Sequence, residues 1–242
     1  PSRSVLSTKR SWMESSRDMT QLILGNLNYS SWSIRAALVS RQSRLEIPER
    51  VVPLGFEETK TDLIEATGLH TVPVLVEGDL IRRDSLAITE WIAEHSEPGL
   101  VWPRDPIKRA LARSVCAEMH SGFIALRSQM PVDIRSQKPT PKITDDLSRD
   151  ISRVLTIWRD LRDRFQSDGA FLLGAWSAAD AFYAPVVTRF RTYGYDLEGS
   201  LADYANAVWN SEAMKTLRTQ AEAEPWEIEM GYLGPARAWV RE

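Results

Sequence analysis

The chain has 242 residues, 43% of them hydrophobic, which is enough for two domains of ordinary size with real cores. Its formal net charge is −3 and no basic stripe with interleaved aromatics occurs, so nucleic acid is a poor candidate for a partner. The single cysteine, Cys116, excludes an internal disulfide and any multi-cysteine zinc site, as suits a reducing compartment, and no apolar run approaches the roughly 20 residues of a membrane helix.

Residues 1–18 are Ser- and Arg-rich and lack the apolar core of a secretory signal. They are expected to be a poorly ordered extension, either left from expression or upstream of a natural start near Met19. Acidic Glu14 and Asp18 weigh against a transit peptide. Residues 21–25 then form a short apolar run ending in glycine, the pattern of a buried strand. After the loop 26–30, Ile34, Ala37 and Leu38 take helical spacing, which predicts a helix beginning near Ser31 to Ser33 with serines at hand as caps. A second strand is expected over 50–54, and a short helix over 59–67 closed by Gly68. The run 74–76, the turn Glu77-Gly78-Asp79 and a further short strand lead into a helix over 85–95. This order predicts a small mixed sheet with helices on both faces, a first domain of 19–98. Clustered Pro and Gly over 97–106 mark the boundary, and a second domain of 106–242 follows.

Beyond Pro106 no strand signal appears. Leu111, Val115, Met119, Phe123 and Leu126 form one helical stripe over 107–130, and three prolines interrupt the segment 130–141. A long core-facing helix is expected over 143–165, with Leu147, Ile151, Leu155, Trp158 and Leu161 at spacings of three and four. Ser177-Ala-Ala-Asp180 matches a capping box at the head of a buried helix over 181–193. Two shorter helices, over 201–209 and 211–222, precede a tail bearing Trp226, Tyr232 and Trp239. Those aromatics would either roof a cleft or, as the plainer expectation, pack on the helical core.

The most informative stretch is 69–91. The residue before a proline is pushed to extended backbone, so Val72 offers a strand-like edge with its N–H and C=O free for a ligand. Val72-Pro73 is also a bond at which a cis peptide is cheap, and a cis form would turn that edge outward at the head of a strand. Asp84 and Ser85, one strand later, would lie beside it at the mouth of a helix. Taken singly, Val72-Pro73 reads as an ordinary strand entry, and Asp84-Ser85 as an N-cap.

In their order and spacing these features resemble the cytosolic glutathione S-transferases: a thioredoxin-like α/β half with Val-Pro before its third strand and Asp-Ser at its last helix, then an all-α half with a Ser-x-x-Asp box. The resemblance covers residues 20 to about 225 and implies a homodimeric, cytoplasmic, detoxifying enzyme. It would hold glutathione on the first half, as co-substrate and not cofactor, and use its thiolate to conjugate or reduce a hydrophobic electrophile held against the second, with no metal, nucleic acid or membrane involved. By this likeness Val72 pairs its backbone with the cysteinyl part of glutathione, Pro73 is the family's cis proline, and Asp84 and Ser85 take the γ-glutamyl end. Their chemistry suits that task, since a helix N-terminus with a hydroxyl binds an α-carboxylate and Asp84 can meet an ammonium. His70 and Thr71 stand near the place of the glycyl carboxylate.

The thiol-activating residue is open between several positions. Setting the family's first helix onto Arg35-Ala36-Ala37-Leu38 puts the beta-class cysteine at Ser30 and the theta- and zeta-class serine at Asn28. Ser30 and Ser31 are the candidate catalytic residues, Asn28 a further glutathione contact, and Tyr29 a rival hydroxyl. Ser30 and Ser31 would equally serve as plain helix caps. The run Ser30-Ser31-Trp32-Ser33-Ile34-Arg35 is similar to the zeta signature, so an isomerase of the maleylacetoacetate type is the second enzymatic expectation. A transferase-like binding or assembly module without catalysis is the third. Ser177 and Asp180 are assigned to folding, Cys116 to the core, and His120 to packing.

Overall fold

The computed structural model describes residues 20–228 and 237–238. The expectations for residues 1–18, Met19, Tyr232 and Trp239 fall outside that range. β1 (Thr20–Gly25) lies inside a sheet of order β2-β1-β3-β4, which is why its sequence is apolar on both faces. It runs parallel to β2 (Glu49–Val52), with Leu24 opposite Val51, and antiparallel to β3 (Val74–Glu77), with Leu22 opposite Leu75. The two-residue turn Gly78-Asp79 returns the chain into β4 (Leu80–Arg83), whose other side is the free edge.

Side-chain alternation divides the sheet into two faces. Leu22, Leu24 and Leu75 pack on α1 (Ser31–Gln42) and α3 (Ser85–His95), whereas Ile23, Val52 and Val74 pack on Leu63 of α2 (Glu57–Thr67). Gly68 ends α2 in the left-handed conformation, φ 68°, as the C-cap reading requires. At the end of β1 a Cβ on Gly25 would stand 2.8 Å from Leu54 and 2.9 Å from Val72, so only glycine lets these neighbours close in.

The helical half comprises α4 (Pro106–Ser121), α5 (Ile124–Gln129), α6 (Asp145–Phe165), a 3-10 turn (Gln166–Asp168), α7 (Ala178–Thr192), α8 (Gly199–Trp209) and α9 (Glu212–Ala223). Thr144 caps α6 by accepting from Leu147 N at 3.2 Å, and the helix buries Leu147, Ile151, Val154, Trp158 and Leu161 along one face. Trp158 is fully enclosed, edge-on to Tyr183, Phe190 and Tyr204 with ring centroids 6.0, 5.8 and 4.9 Å away. α7 is buried almost all round and packs against α1. A single apolar core therefore runs through both halves, joining Leu22, Ile34 and Ile88 to Val115, Trp158 and Phe182.

Two expectations are corrected. The stripe over 107–130 is two helices: the chain breaks at Gly122 and Phe123, and Phe123 takes φ 59° while its ring stays buried. The apolar spacing survives the break because Phe123 still reaches the core, and spacing alone does not reveal the left-handed residue. Strand structure also occurs beyond Pro106: β5 (Trp226–Glu227) pairs with β6 (Arg237–Ala238), and isolated bridges join Phe171 to Gly174 and Leu173 to Ala175. Both are two-residue features, too short for a period-2 pattern to announce.

Candidate functional site

A cleft of about 300 Å³ opens where the head of β3 faces the start of α3. Thr71, Val72 and Pro73 form one wall, Arg83, Asp84 and Ser85 the other, and Trp32 of α1 joins them. The Val72-Pro73 peptide is cis, and sheet pairing begins only at Val74, which leaves the Val72 backbone outside the ladder. Opposite, Asp84 sits at φ 81° and ψ 126°, a left-handed position that costs a non-glycine residue on the order of 1–3 kcal/mol. It holds that position as the N-cap of α3, with Oδ1 accepting from Leu86 N at 2.8 Å and from Ala87 N at 3.4 Å. Its Oδ2 lies 3.0 Å from His120 Nε2 on α4. Ser85, by contrast, is 1% exposed and its hydroxyl has no hydrogen-bond partner among the described residues. An orphaned hydroxyl at a helix N-terminus lining a cleft is an acceptor and donor held ready for something else.

The loop between β1 and α1 is organised the other way. Asn28 is fully buried: Nδ2 donates to Asp133 Oδ1 at 2.9 Å, and Oδ1 accepts from Arg135 N at 3.0 Å. Glu224, just past α9, takes the Leu27 N–H on Oε1 at 2.6 Å and the Asn28 N–H on Oε2 at 3.3 Å, and burial pushes its carboxyl above the usual range. Arg135 adds bonds to the Tyr29 hydroxyl, 2.9 Å, and to the Trp226 carbonyl, 2.7 Å. Ser30 is the N-cap of α1, accepting from Ser33 N at 3.2 Å and donating to Ser33 Oγ at 2.9 Å, while Ser33 Oγ also accepts from Gly25 N at 2.8 Å. Both Ser30 and Ser31 are 8% exposed, and among the described residues no hydrogen bond engages the Ser31 hydroxyl.

Of the residues singled out in the sequence, the fold brings Thr71, Val72, Pro73, Asp84 and Ser85 to one cleft. His70 is exposed beside it, Ser30 and Ser31 stand at the adjacent head of α1, and Asn28 is turned into the protein. Trp32 and Arg83 were missed, and so was the reach of His120 to Asp84. The available sign was a polar residue, His120, next to the core positions Cys116 and Met119 on one helix. Its ring meets Trp32 edge-on at 5.0 Å, so through it the helical half touches two of the residues that line the cleft, Trp32 and Asp84.

Other chemistry-bearing residues serve the fold. Asp180 Oδ2 accepts from Ser177 N at 2.7 Å and from the Ser177 hydroxyl at 3.3 Å, closing the capping box, while Oδ1 takes Leu172 N at 3.1 Å. Cys116 is fully buried, which pushes its thiol up and keeps it neutral. Among the described residues no group of His, Cys, Asp and Glu has the arrangement of a metal site, and no helix is long and apolar enough to cross a membrane.

Residues 29–95 match the family model of the glutathione S-transferase N-terminal domain, and residues 144–242 that of the C-terminal domain. The chain is 32% identical over 108 residues to a probable maleylacetoacetate isomerase of Caenorhabditis elegans, a match spanning 45% of this chain and half of that protein, 50%. It is 23% identical over 176 residues to a stringent starvation protein A homologue of Haemophilus ducreyi, spanning 71% of this chain and 78% of that one. Among solved structures, a glutathione transferase homologue from Burkholderia with bound glutathione superposes with a TM-score of 0.64 at 20% identity, covering 85% of this chain and 99% of the other. Glutathione transferase Omega 3C from Trametes versicolor gives 0.62 at 19% identity, covering 87% and 89%.

Proposed function

The chain belongs to the glutathione S-transferase family, and from that premise we propose that it binds glutathione along Val72 and Asp84-Ser85 and transfers its thiolate to an electrophile in the cleft. The observation that carries this reading is the buried, unpartnered Ser85 hydroxyl at the head of α3, in one cleft with Asp84 and the unpaired Val72 backbone. An α-carboxylate would meet Ser85 Oγ and the Ser85 N–H at the head of α3, and the neighbouring ammonium would meet Asp84. Val72 would supply one N–H and one C=O to the cysteinyl unit, as an added strand does.

The thiol of glutathione, with an ordinary pKa near 8.5, then points to the head of α1, where partial positive charge and a hydroxyl donor favour its ionised form. Ser31 suits the donor role because its hydroxyl is uncommitted, whereas Ser30 spends its proton on Ser33. The sulfur lone pair forms the new bond to carbon, and the pair of the bond broken leaves with the departing group or moves onto the adjacent atom of a double bond. His70 and Thr71 flank the place of the glycyl carboxylate. The reading includes a division of labour between 19–98 and 106–242 and a homodimer, for which the edge strand β4 with Leu80 60% and Ile81 41% exposed is the support. A cytoplasmic, detoxifying role accords with the reading.

The match to a probable maleylacetoacetate isomerase favours one second reading, an isomerase in which the thiolate adds to a double bond and leaves again. The third reading is a transferase-like binding or assembly module without catalysis. Calorimetric titration of reduced glutathione tests the site directly. Wild type should bind, and Asp84→Ala should weaken binding by about tenfold or more, the worth of a charge-assisted bond. No binding to wild type would leave only the module.

A further inference from the structure

Behind Trp32, where the two halves meet, lies a group of arginines with almost no counter-charge. Arg35 is fully buried, and among the described residues neither its Nε nor its two Nη atoms have a hydrogen-bond partner. Its guanidinium rests over the Trp32 ring, 4.4 Å from the centroid, and 5.1 Å from that of Phe182. Arg127 of α5 approaches Trp32 to 4.7 Å, and among the described residues its guanidinium makes one hydrogen bond, a long one of 3.5 Å to the Gly122 carbonyl. Arg189 of α7 is 3% exposed; its Nη1 reaches the Pro185 carbonyl at 3.3 Å, and its Nε has no partner among the described residues.

These cations act on one another. Burial first, then the charge of Arg127, draws Arg35 down to about 9, and burial, then Arg35 and Arg127, draws Arg189 down to about 9. Both remain protonated at neutral pH. The negative side is thin. Cys116 and Tyr183 face Arg35, but burial pushes both up and keeps them neutral, and the carboxylate of Asp84 is the smallest of the influences on Arg35. Asp84 is also shared with His120 and, when glutathione is seated, with an ammonium. Buried charge without a partner is costly, and aromatic faces offset only part of that cost. What the arrangement lacks is an anion, and the cleft wall nearest to it is Trp32.

We propose that the second substrate carries a carboxylate, which Arg127 pairs with at the edge of Trp32 while Arg35 and Arg189 draw it in by their charge. This rests on the transferase reading for the word substrate; the attraction itself follows from the arginines alone. Arg127 is the half-buried member and so the one a ligand reaches, and its planar fork fits a carboxylate in two parallel bonds. Charge focused by low-dielectric walls then selects acidic over neutral molecules of the same shape.

The test compares 4-phenylbutyrate with 4-phenylbutanol, which share one apolar frame, by calorimetry on wild type, Arg127→Gln and Arg127→Lys, each free and saturated with glutathione. Wild type should bind the acid about tenfold tighter than the alcohol, with or without glutathione. That ratio should fall toward one in Arg127→Gln and be partly restored in Arg127→Lys. Taking the ratio cancels any general loosening of the cleft. Equal affinity in wild type, or a preference that survives Arg127→Gln, overturns the proposal. A preference abolished by glutathione also overturns it, by giving the arginines to glutathione's own carboxylates. Failure of glutathione itself to bind, seen in a separate titration without either probe, removes the transferase reading and the second-substrate role together.

Discussion

The heads of α1 and α3 flank the same cleft and are finished in opposite ways. At α1 the cap and the loop before it are consumed internally: Ser30 by Ser33, Asn28 by Asp133 and Arg135, the Leu27 and Asn28 N–H groups by Glu224. At α3 a strained cap leaves one hydroxyl, that of Ser85, without a partner among the described residues. Both ends satisfy the backbone at the first turn of a helix, so capping alone does not separate structure from function. The partner list does. A closed list describes a brace, and a gap in the list at a cleft describes a binding position.

The head of α7 is the extreme of the closed kind and gives the largest expected effect. Burial pushes Asp180 up to about 6, against about 3.9 in an unfolded chain. A raised acid binds more protons when folded, so its contribution is fully present below about pH 4 and is lost as pH rises through 6. Wild type should therefore lose up to about 3 kcal/mol relative to Asp180→Asn between pH 4 and 7, measured by denaturant unfolding. A difference independent of pH would show that the box holds a charged carboxylate comfortably.

Within α1 the two serines should separate. Ser30→Ala removes the cap and should cost about 1 kcal/mol of stability while leaving the thiol of bound glutathione close to its wild-type pKa. Ser31→Ala should leave stability near wild type and raise that thiol by about one unit, followed through ultraviolet thiolate absorbance against pH. The reverse outcome would place the sulfur on Ser30 and make the closed list no guide. The smallest effect is the sharpest test at α3: Ser85→Ala should change unfolding free energy by less than about 0.5 kcal/mol yet weaken glutathione about three- to tenfold. A stability loss without a binding loss would make Ser85 another brace.

How much of this was legible in the sequence depended on how far apart the partners lie. The segment from β3 through α3 was read with its turn, strand borders and cap because Gly78-Asp79 and Asp84-Ser85 act within a few residues of themselves. Asn28 was placed on the ligand by family position, and nothing local announces that Asp133 and Glu224, 105 and 196 residues away, take its side chain and its N–H. Phe123 kept the helical stripe while breaking the helix. Arg35 read as one more polar residue on α1; its position becomes visible only when α5 and α7 bring the charges of Arg127 and Arg189 to bear on it and on one another.

The reach of Glu224 back to Leu27, across 197 residues, bears on the order in which the protein is made. The first strand and helix leave the ribosome early, but the carboxylate that fixes the loop between them is among the last groups of the described chain to be synthesised. Until α9 has docked, that loop has two backbone N–H groups without their acceptor, so the loop that leads into α1 beside the cleft is completed only when the end of α9 is in place. A chain cut before Glu224 can thus hold a nearly whole sheet and still lack the acceptor that fixes the loop before α1, which ties the shape of that loop to the residue just past α9.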